Sequence, residues 1–330
     1  MAIGIGRRWF ISALGGAAVA WPLAARAQQS AMPVIGYISS RSPDAETPWR
    51  VSFLKGLEAA GFVPNQNVAI DYKFSDGKES QLPSLAADLV QRRVAILVAT
   101  SRPAALAAKA ATANIPIVFT SGEDPVSIGL VASLNHPGGN ATGVSVFTTE
   151  LGPKRLGLLR EFLTKPGVIA FVVDPNNGSA QPQIKVIQAA ADAVAQPLLV
   201  LNAGTESEID AAFATMAQQR VSAVLYGAST FFQVVSDRLI ALAARQSIPA
   251  LYEWREFVAA GGLMSYSTNV AEIGRQIGTY AGQILKGAKP ADLPVVQSSR
   301  FEFVINLKTA NALGLTVPPT LLARADEVIE

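Results

Sequence analysis

The chain has no cysteine and only one histidine, His136, among its 330 residues. The first absence excludes disulfides, thiolate metal sites, a cysteine nucleophile and a cysteine-borne lipid. The second leaves any histidine-based metal site without a second ligand of its kind. It would also oblige a Ser-His-Asp triad to recruit His136, which lies in a His-Pro-Gly-Gly turn. No H-E-x-x-H, G-x-S-x-G or G-x-x-x-x-G-K-[ST] run occurs, and the carboxylates show no pairing that spacing alone establishes. No catalysis, cofactor or metal is therefore expected. Charged residues are sparse (16%) while half of the residues are apolar, which argues for a large core and against disorder.

The N-terminal segment is a different kind of text. Arg7-Arg8-Trp9-Phe10-Ile11 opens an apolar run that reaches Leu23, and Ala25-Arg26-Ala27 closes it with small residues. A basic flank, an apolar middle and an A-x-A end read as an export signal cleaved after Ala27. The adjacent arginines fit the twin-arginine variety. The alternative, a membrane anchor, suits the stretch less well. It is shorter than the ~18 residues a spanning helix needs, and Gly15-Gly16 and Pro22 interrupt it. Removing residues 1–27 leaves 303 residues and lowers the formal charge from +2 to −1, because the segment carries three arginines and no acid. The main support for a nucleic-acid partner goes with it. A chain of this length exceeds one comfortable core, so two domains are expected.

Beyond the signal, short Val/Ile/Leu runs alternate with helical periodicity. Strand-like runs at 33–38, 68–74, 94–99 and 115–119 are separated by helical patterns at 49–60, 82–90 and 104–113. The pattern restarts with helices at 154–162, 183–194, 209–218 and 234–246 between runs at 168–173, 198–201, 222–226 and 249–252. Near-continuous apolar strands divided by helices indicate α/β architecture with parallel sheets covered on both faces. The Gly-rich stretch from Pro137 to Ser145 reads as the first crossing between the two halves. A helix at 273–285 and a strand at 301–307 fit either half on pattern alone.

In open parallel sheets, ligands bind beyond the carboxyl ends of the strands. Those positions hold Ser39-Ser40, Thr100-Ser101, Thr120-Ser121-Gly122-Glu123-Asp124, Asp174-Pro175-Asn176-Asn177, Tyr226 and Glu253-Trp254. Hydroxyls, amides, an acid and aromatic faces suit a small polar ligand with an apolar part. Thr100-Ser101 sit where a strand feeds a helix with Pro103 in its first turn, so they serve as an N-cap, an anion site, or both. Asp124 before Pro125 is a cap for a short helix or a partner for a ligand amine or hydroxyl. Tyr226 and Trp254 are core aromatics or cleft walls, and Asn176-Asn177-Gly178 is a turn by composition.

Several segments, taken in order, carry a family resemblance. They are Leu57-x-x-x-Gly61-Phe62, Ile115-Pro116-Ile117-Val118-Phe119, Asp124-Pro125-Val126-x-x-Gly129-Leu130-Val131, Pro137-Gly138-Gly139-Asn140-x-Thr142-Gly143-Val144, Ile284-Leu285-Lys286-Gly287 and Phe301-Glu302-x-Val304-Ile305-Asn306-x-Lys308-Thr309-Ala310. The chain resembles ABC-transporter substrate-binding proteins of the tryptophan/tyrosine-type group. That resemblance implies a type I periplasmic-binding-protein fold, two Rossmann-like lobes with parallel sheets joined by a hinge of three crossings. It places residues 30–145 and 268–296 in the first lobe and 146–267 and 297–330 in the second. It also implies a monomeric periplasmic receptor that closes on one small molecule and docks on a membrane permease. The ligand would be an aromatic amino acid or an amine-free aromatic or apolar carboxylate. Its carboxylate would lie at Thr100-Ser101 and an ammonium at Glu253, with Ser39, Ser121, Asn176, Tyr226, Trp254 and Tyr266 lining the cleft and Asp124 at lower rank. A receptor for a membrane sensor, or an exported hydrolase using Glu253, are the rival expectations.

Overall fold

A computed structural model of the protein describes residues 32–146, 148–163 and 167–330. The signal-like segment lies outside the described residues. Buried apolar runs make β1 (Val34–Ser39), β3 (Ile96–Ala99) and β4 (Ile117–Ser121), with β2 (Ala69–Phe74) half-buried at one edge. Between them lie α1 (Thr47–Ala59), α2 (Leu82–Gln91) and α3 (Arg102–Ala111), each with proline in its first turn, where a missing N–H costs nothing. After β5 (Ala141–Ser145) come α4 (Gly152–Phe162), β6 (Ile169–Val173), α5 (Ala180–Asp192), β7 (Leu198–Asn202), α6 (Glu206–Gln218) and β8 (Ala223–Tyr226). Next come α7 (Thr230–Val234), α8 (Ser236–Arg245), β9 (Ala250–Tyr252), α9 (Arg255–Ala259), β10 (Met264–Thr268) and α10 (Val270–Leu285). The chain ends with β11 (Val296–Gln297), β12 (Phe301–Asn306), α11 (Leu307–Ala312), α12 (Pro319–Leu322) and β13 (Glu327–Ile329).

Two sheets result. The first has the order β11-β5-β4-β3-β1-β2 with every pairing parallel. The second has the order β13-β12-β10-β9-β8-β6-β7, in which β12 runs antiparallel to β10. The chain passes between the sheets after β5, between β10 and α10, and between β11 and β12. Both sheets are predominantly parallel, as expected. β12 runs antiparallel to β10 because the third crossing is a short return that drops the chain directly onto β10, with no helix to reverse its direction.

The first crossing is also corrected. Pro137 to Ser145 was read as a linker, but Ala141–Ser145 is strand β5, paired between β4 and β11, and the crossing follows it. Its small residues hid the strand. At Gly143 a Cβ would sit 2.0 Å from the Phe119 carbonyl oxygen, so only glycine lets the two strands lie this close. The late elements divide between the halves. Helix α10 lies along α1, and β12 joins the second sheet. Gly56 on α1 and Gly274 and Gly278 on α10 make the helix contact: a Cβ on Gly278 would stand 2.1 Å from the Phe53 carbonyl oxygen.

Candidate functional site

The carboxyl ends of both sheets face a common cleft lined by residues of both halves and nearly shut, with about 70 Å³ of free space. On the first side the organiser is Glu46, fully buried in the turn before α1. Its Oε1 accepts from the Tyr37 hydroxyl at 2.7 Å and from Thr100 Oγ1 at 2.6 Å. Its Oε2 accepts from Ser39 Oγ at 2.7 Å and from Arg41 Nη1 at 3.1 Å. A buried carboxylate is tolerated when its lone pairs are filled in this way. The same Arg41 Nη1 donates to the Thr100 carbonyl at 2.6 Å, and the guanidinium lies 4.4 Å from the Trp49 ring centroid. Arg41 is therefore a fixed cation at the cleft wall. Ser101 caps α3, accepting from Ala104 N at 3.4 Å, and its hydroxyl proton stays free for another acceptor. Arg102 and Glu123 form an ion pair of 2.6 Å at the rim.

The second side presents Glu253, Trp254, Ser229 and Gln233. Glu253 follows β9, is 5% exposed, and has no salt-bridge partner among the described residues. Burial pushes its carboxyl up to about 7. The charges of Arg155 and Arg41, the Trp254 side chain and the Ser229 backbone favour ionisation without offsetting that cost. Glu79, at the same cleft, is also pushed up to about 7, first by burial and then by the charge of Asp174. Trp254 meets Trp49 edge-on across the cleft with ring centroids 5.4 Å apart. Arg41 Nε donates to Gln233 Oε1 at 2.5 Å, a bond that joins the two sides.

Of the residues expected from sequence, Ser101, Glu253 and Trp254 line this cleft. Ser39 and Thr100 stand one step behind it, their hydroxyls engaged by Glu46. Ser121 Oγ donates to the Glu123 carbonyl and shapes the loop. Asp124 Oδ1 accepts from Val126 N within its own turn, and no helix follows. Asn176 is exposed, while its neighbour Asn177 lines the cleft and donates to the Ala228 carbonyl at 2.9 Å. Tyr226 is buried in an aromatic stack with Tyr252. Tyr266 stacks on Phe301 on the second sheet.

Sequence reasoning missed Arg41, Trp49, Thr148, Thr149 and Gln233, all of which line the cleft, while Ser229, in the loop that follows Tyr226 at its strand end, lines it as that position suggests. Arg41 was within reach, since it directly follows the Ser39-Ser40 strand end. Trp49 was read as an apolar helix residue. It lies in the first turn of α1, the turn that faces the strand ends.

Two halves of this topology, with a cleft between their strand ends, define a type I periplasmic-binding-protein fold. The model of the ABC transporter substrate binding protein family matches residues 34–329, and the chain belongs to this family. It is 28% identical over 264 residues to the tyrosine-binding protein of Clostridioides difficile, covering 80% of this chain and 75% of that one. Among solved structures it is similar to an ABC domain from Streptococcus pneumoniae in complex with L-Trp. There the TM-score is 0.80 and the identity 26%, with 89% of this chain and 100% of that one covered. A conserved domain protein from Vibrio cholerae gives a TM-score of 0.83 at 26% identity, with 90% and 100% covered. The family is one of substrate-binding proteins.

Proposed function

We propose that this protein is an exported, periplasmic solute receptor that captures an aromatic amino acid between its two halves and delivers it to an ABC importer. One observation carries the choice of ligand. Glu253 is a buried carboxylate facing the cleft without a salt-bridge partner among the described residues, beside the Trp49–Trp254 pair and across from the Arg41 cation. A zwitterion with an aromatic side chain answers each element. Its ammonium neutralises Glu253, and its carboxylate meets Arg41, the Ser101 hydroxyl and the free N–H groups at the start of α3. Its ring lies against the indoles. The names of two relatives, a tyrosine-binding protein and a domain in complex with L-Trp, support the same class. The working unit is one monomer with one ligand, docking on a membrane permease.

Titration calorimetry with L-tryptophan and L-tyrosine against their deaminated propionate analogues tests this reading. The amino acids should bind one per chain. Glu253→Gln should raise their dissociation constants by about tenfold or more and leave the amine-free acids unchanged. Binding of amine-free acids alone would replace the amino acid with an aromatic or apolar carboxylate as the ligand. Silence across both series would overturn the aromatic assignment.

A further inference from the structure

The space bordered by Arg41, Ser101 and Glu253 amounts to about 70 Å³, whereas a cavity that takes benzene has about 150 Å³. That leaves room for the charged head of an amino acid but not for its ring. The missing room lies next door. Between the turn leading into α1 on one side and α7, α8 and α9 on the other is an outer chamber with about 350 Å³ of free space. Trp49, Gln233 and Trp254 line both spaces, so the two are contiguous and the indole pair stands at their boundary.

The outer chamber combines aromatic walls with acids. Trp49, Trp254 and Phe257 are buried and offer apolar surface to a ring. Asp44, Asp237 and Glu256 supply three carboxyl groups, and no Lys, Arg or His lines the chamber. None of the three forms a salt bridge among the described residues. Asp44 and Asp237 are exposed, so water and salt screen them. Glu256 is half-buried, and burial raises its carboxyl above the usual range, against its own backbone N–H and the charges of Arg255 and Arg41. Both arginines are engaged elsewhere, Arg255 by Glu327 and Arg41 by Glu46. A donor brought to Glu256 by the solute therefore offsets the cost of burying its charge. The wall is rich in acceptors and carries no cation.

We infer that the solute's ring lodges in this outer chamber and carries a hydrogen-bond donor at its far end, received by Glu256 with help from Asp237. This rests on the aromatic-amino-acid reading and narrows it. Phenol and indole rings answer the wall, a bare phenyl ring leaves its acceptors unmet, and a ring ending in a carboxylate is repelled. A site built to pair with a donor discriminates against the analogue that lacks one, because its own polar group is then left without a partner. Glu256 is thus a specificity residue, while Glu253 and Arg41 hold the head group that all such solutes share.

Titration calorimetry with L-tyrosine, L-phenylalanine and 4-carboxy-L-phenylalanine separates the two roles, since the three share one head group and differ only at the far end of the ring. L-Tyrosine should bind at least several-fold more tightly than L-phenylalanine, and the carboxy analogue should bind more weakly than either. Asp237→Asn combined with Glu256→Gln should narrow the gap between the first two and improve binding of the carboxy analogue, a gain that damage to the fold would not give. Equal affinities for L-tyrosine and L-phenylalanine, a carboxy analogue that binds as well as L-phenylalanine, or a double variant that keeps the original spacing of the three would each overturn the inference and leave the aromatic reading standing. Silence from all three and from L-tryptophan would overturn the aromatic reading, and the inference with it.

Discussion

Glu253 is held between two requirements, and pH separates them. Burial raises its carboxyl from 4.5 to about 7, so the folded protein keeps a proton that the unfolded chain loses. Below pH 4.5 both states are protonated and the group is neutral toward folding. As pH rises toward 7 the unfolded state ionises first, and stability falls by an amount on the order of 3 kcal/mol at most. Glu79 acts with the same sign. Denaturant unfolding of the ligand-free protein between pH 5 and 8 should therefore show declining stability. Glu253→Gln should flatten that decline in part, leaving the Glu79 share. An unchanged pH profile in the variant would mean that Glu253 ionises freely in the folded state. With an ammonium ligand the sign reverses: affinity should rise with pH through 7, because binding needs the ionised carboxylate. Glu253 and Trp254 were legible from sequence because a strand end is a local feature. Arg41, Trp49 and Gln233 were not, because their roles arise from pairings across the cleft between residues up to 205 positions apart.

At the scale of elements, the helix pair α1–α10 sets the position of that wall. Glu46 and Trp49 belong to the turn before α1 and to its first turn, and α1 rests on α10 through Gly56, Gly274 and Gly278. Glycine is a poor helix former, so Gly278→Ala should gain about 1 kcal/mol of intrinsic propensity. The added methyl would meet the Phe53 carbonyl oxygen at 2.1 Å and Leu57 N at 2.6 Å, both backbone atoms that move only if the helices part. Overpacking of this kind costs about 1–3 kcal/mol or more, and packing should win. Gly278→Ala is expected to lower stability by about 2 kcal/mol in urea unfolding. Gly157→Ala, on α4 with open space at its Cβ, should be neutral or stabilising. Equal responses would show that propensity decides at both sites. The alternation of strands and helices was readable because the apolar runs of the central strands are buried on both faces. The glycine contact was not, since spacing along one helix says nothing about which helix lies against it. β5 escaped notice for a related reason: its small residues are chosen by the closeness of Phe119, a neighbour absent from the local sequence.

For the whole molecule, the question is what holds the halves together and how a solute changes that balance. The Arg41–Gln233 bond and the Trp49–Trp254 contact exist only while the cleft is shut. A ligand favours closure to the extent that it binds the shut form better than the open one. A hydrogen bond from a charged donor contributes about 1.5–3 kcal/mol, so Gln233→Ala should move the ligand-free protein toward the open form by roughly ten- to a hundredfold. Small-angle X-ray scattering should then give a larger radius of gyration for the ligand-free variant than for the parent. Saturating ligand should bring both to the same value. Where the parent is mostly shut without ligand, the variant's dissociation constant should rise by the factor through which its shut population falls. A variant with unchanged radius and affinity would place the closing free energy elsewhere, in the crossings between the halves instead of in the cleft itself.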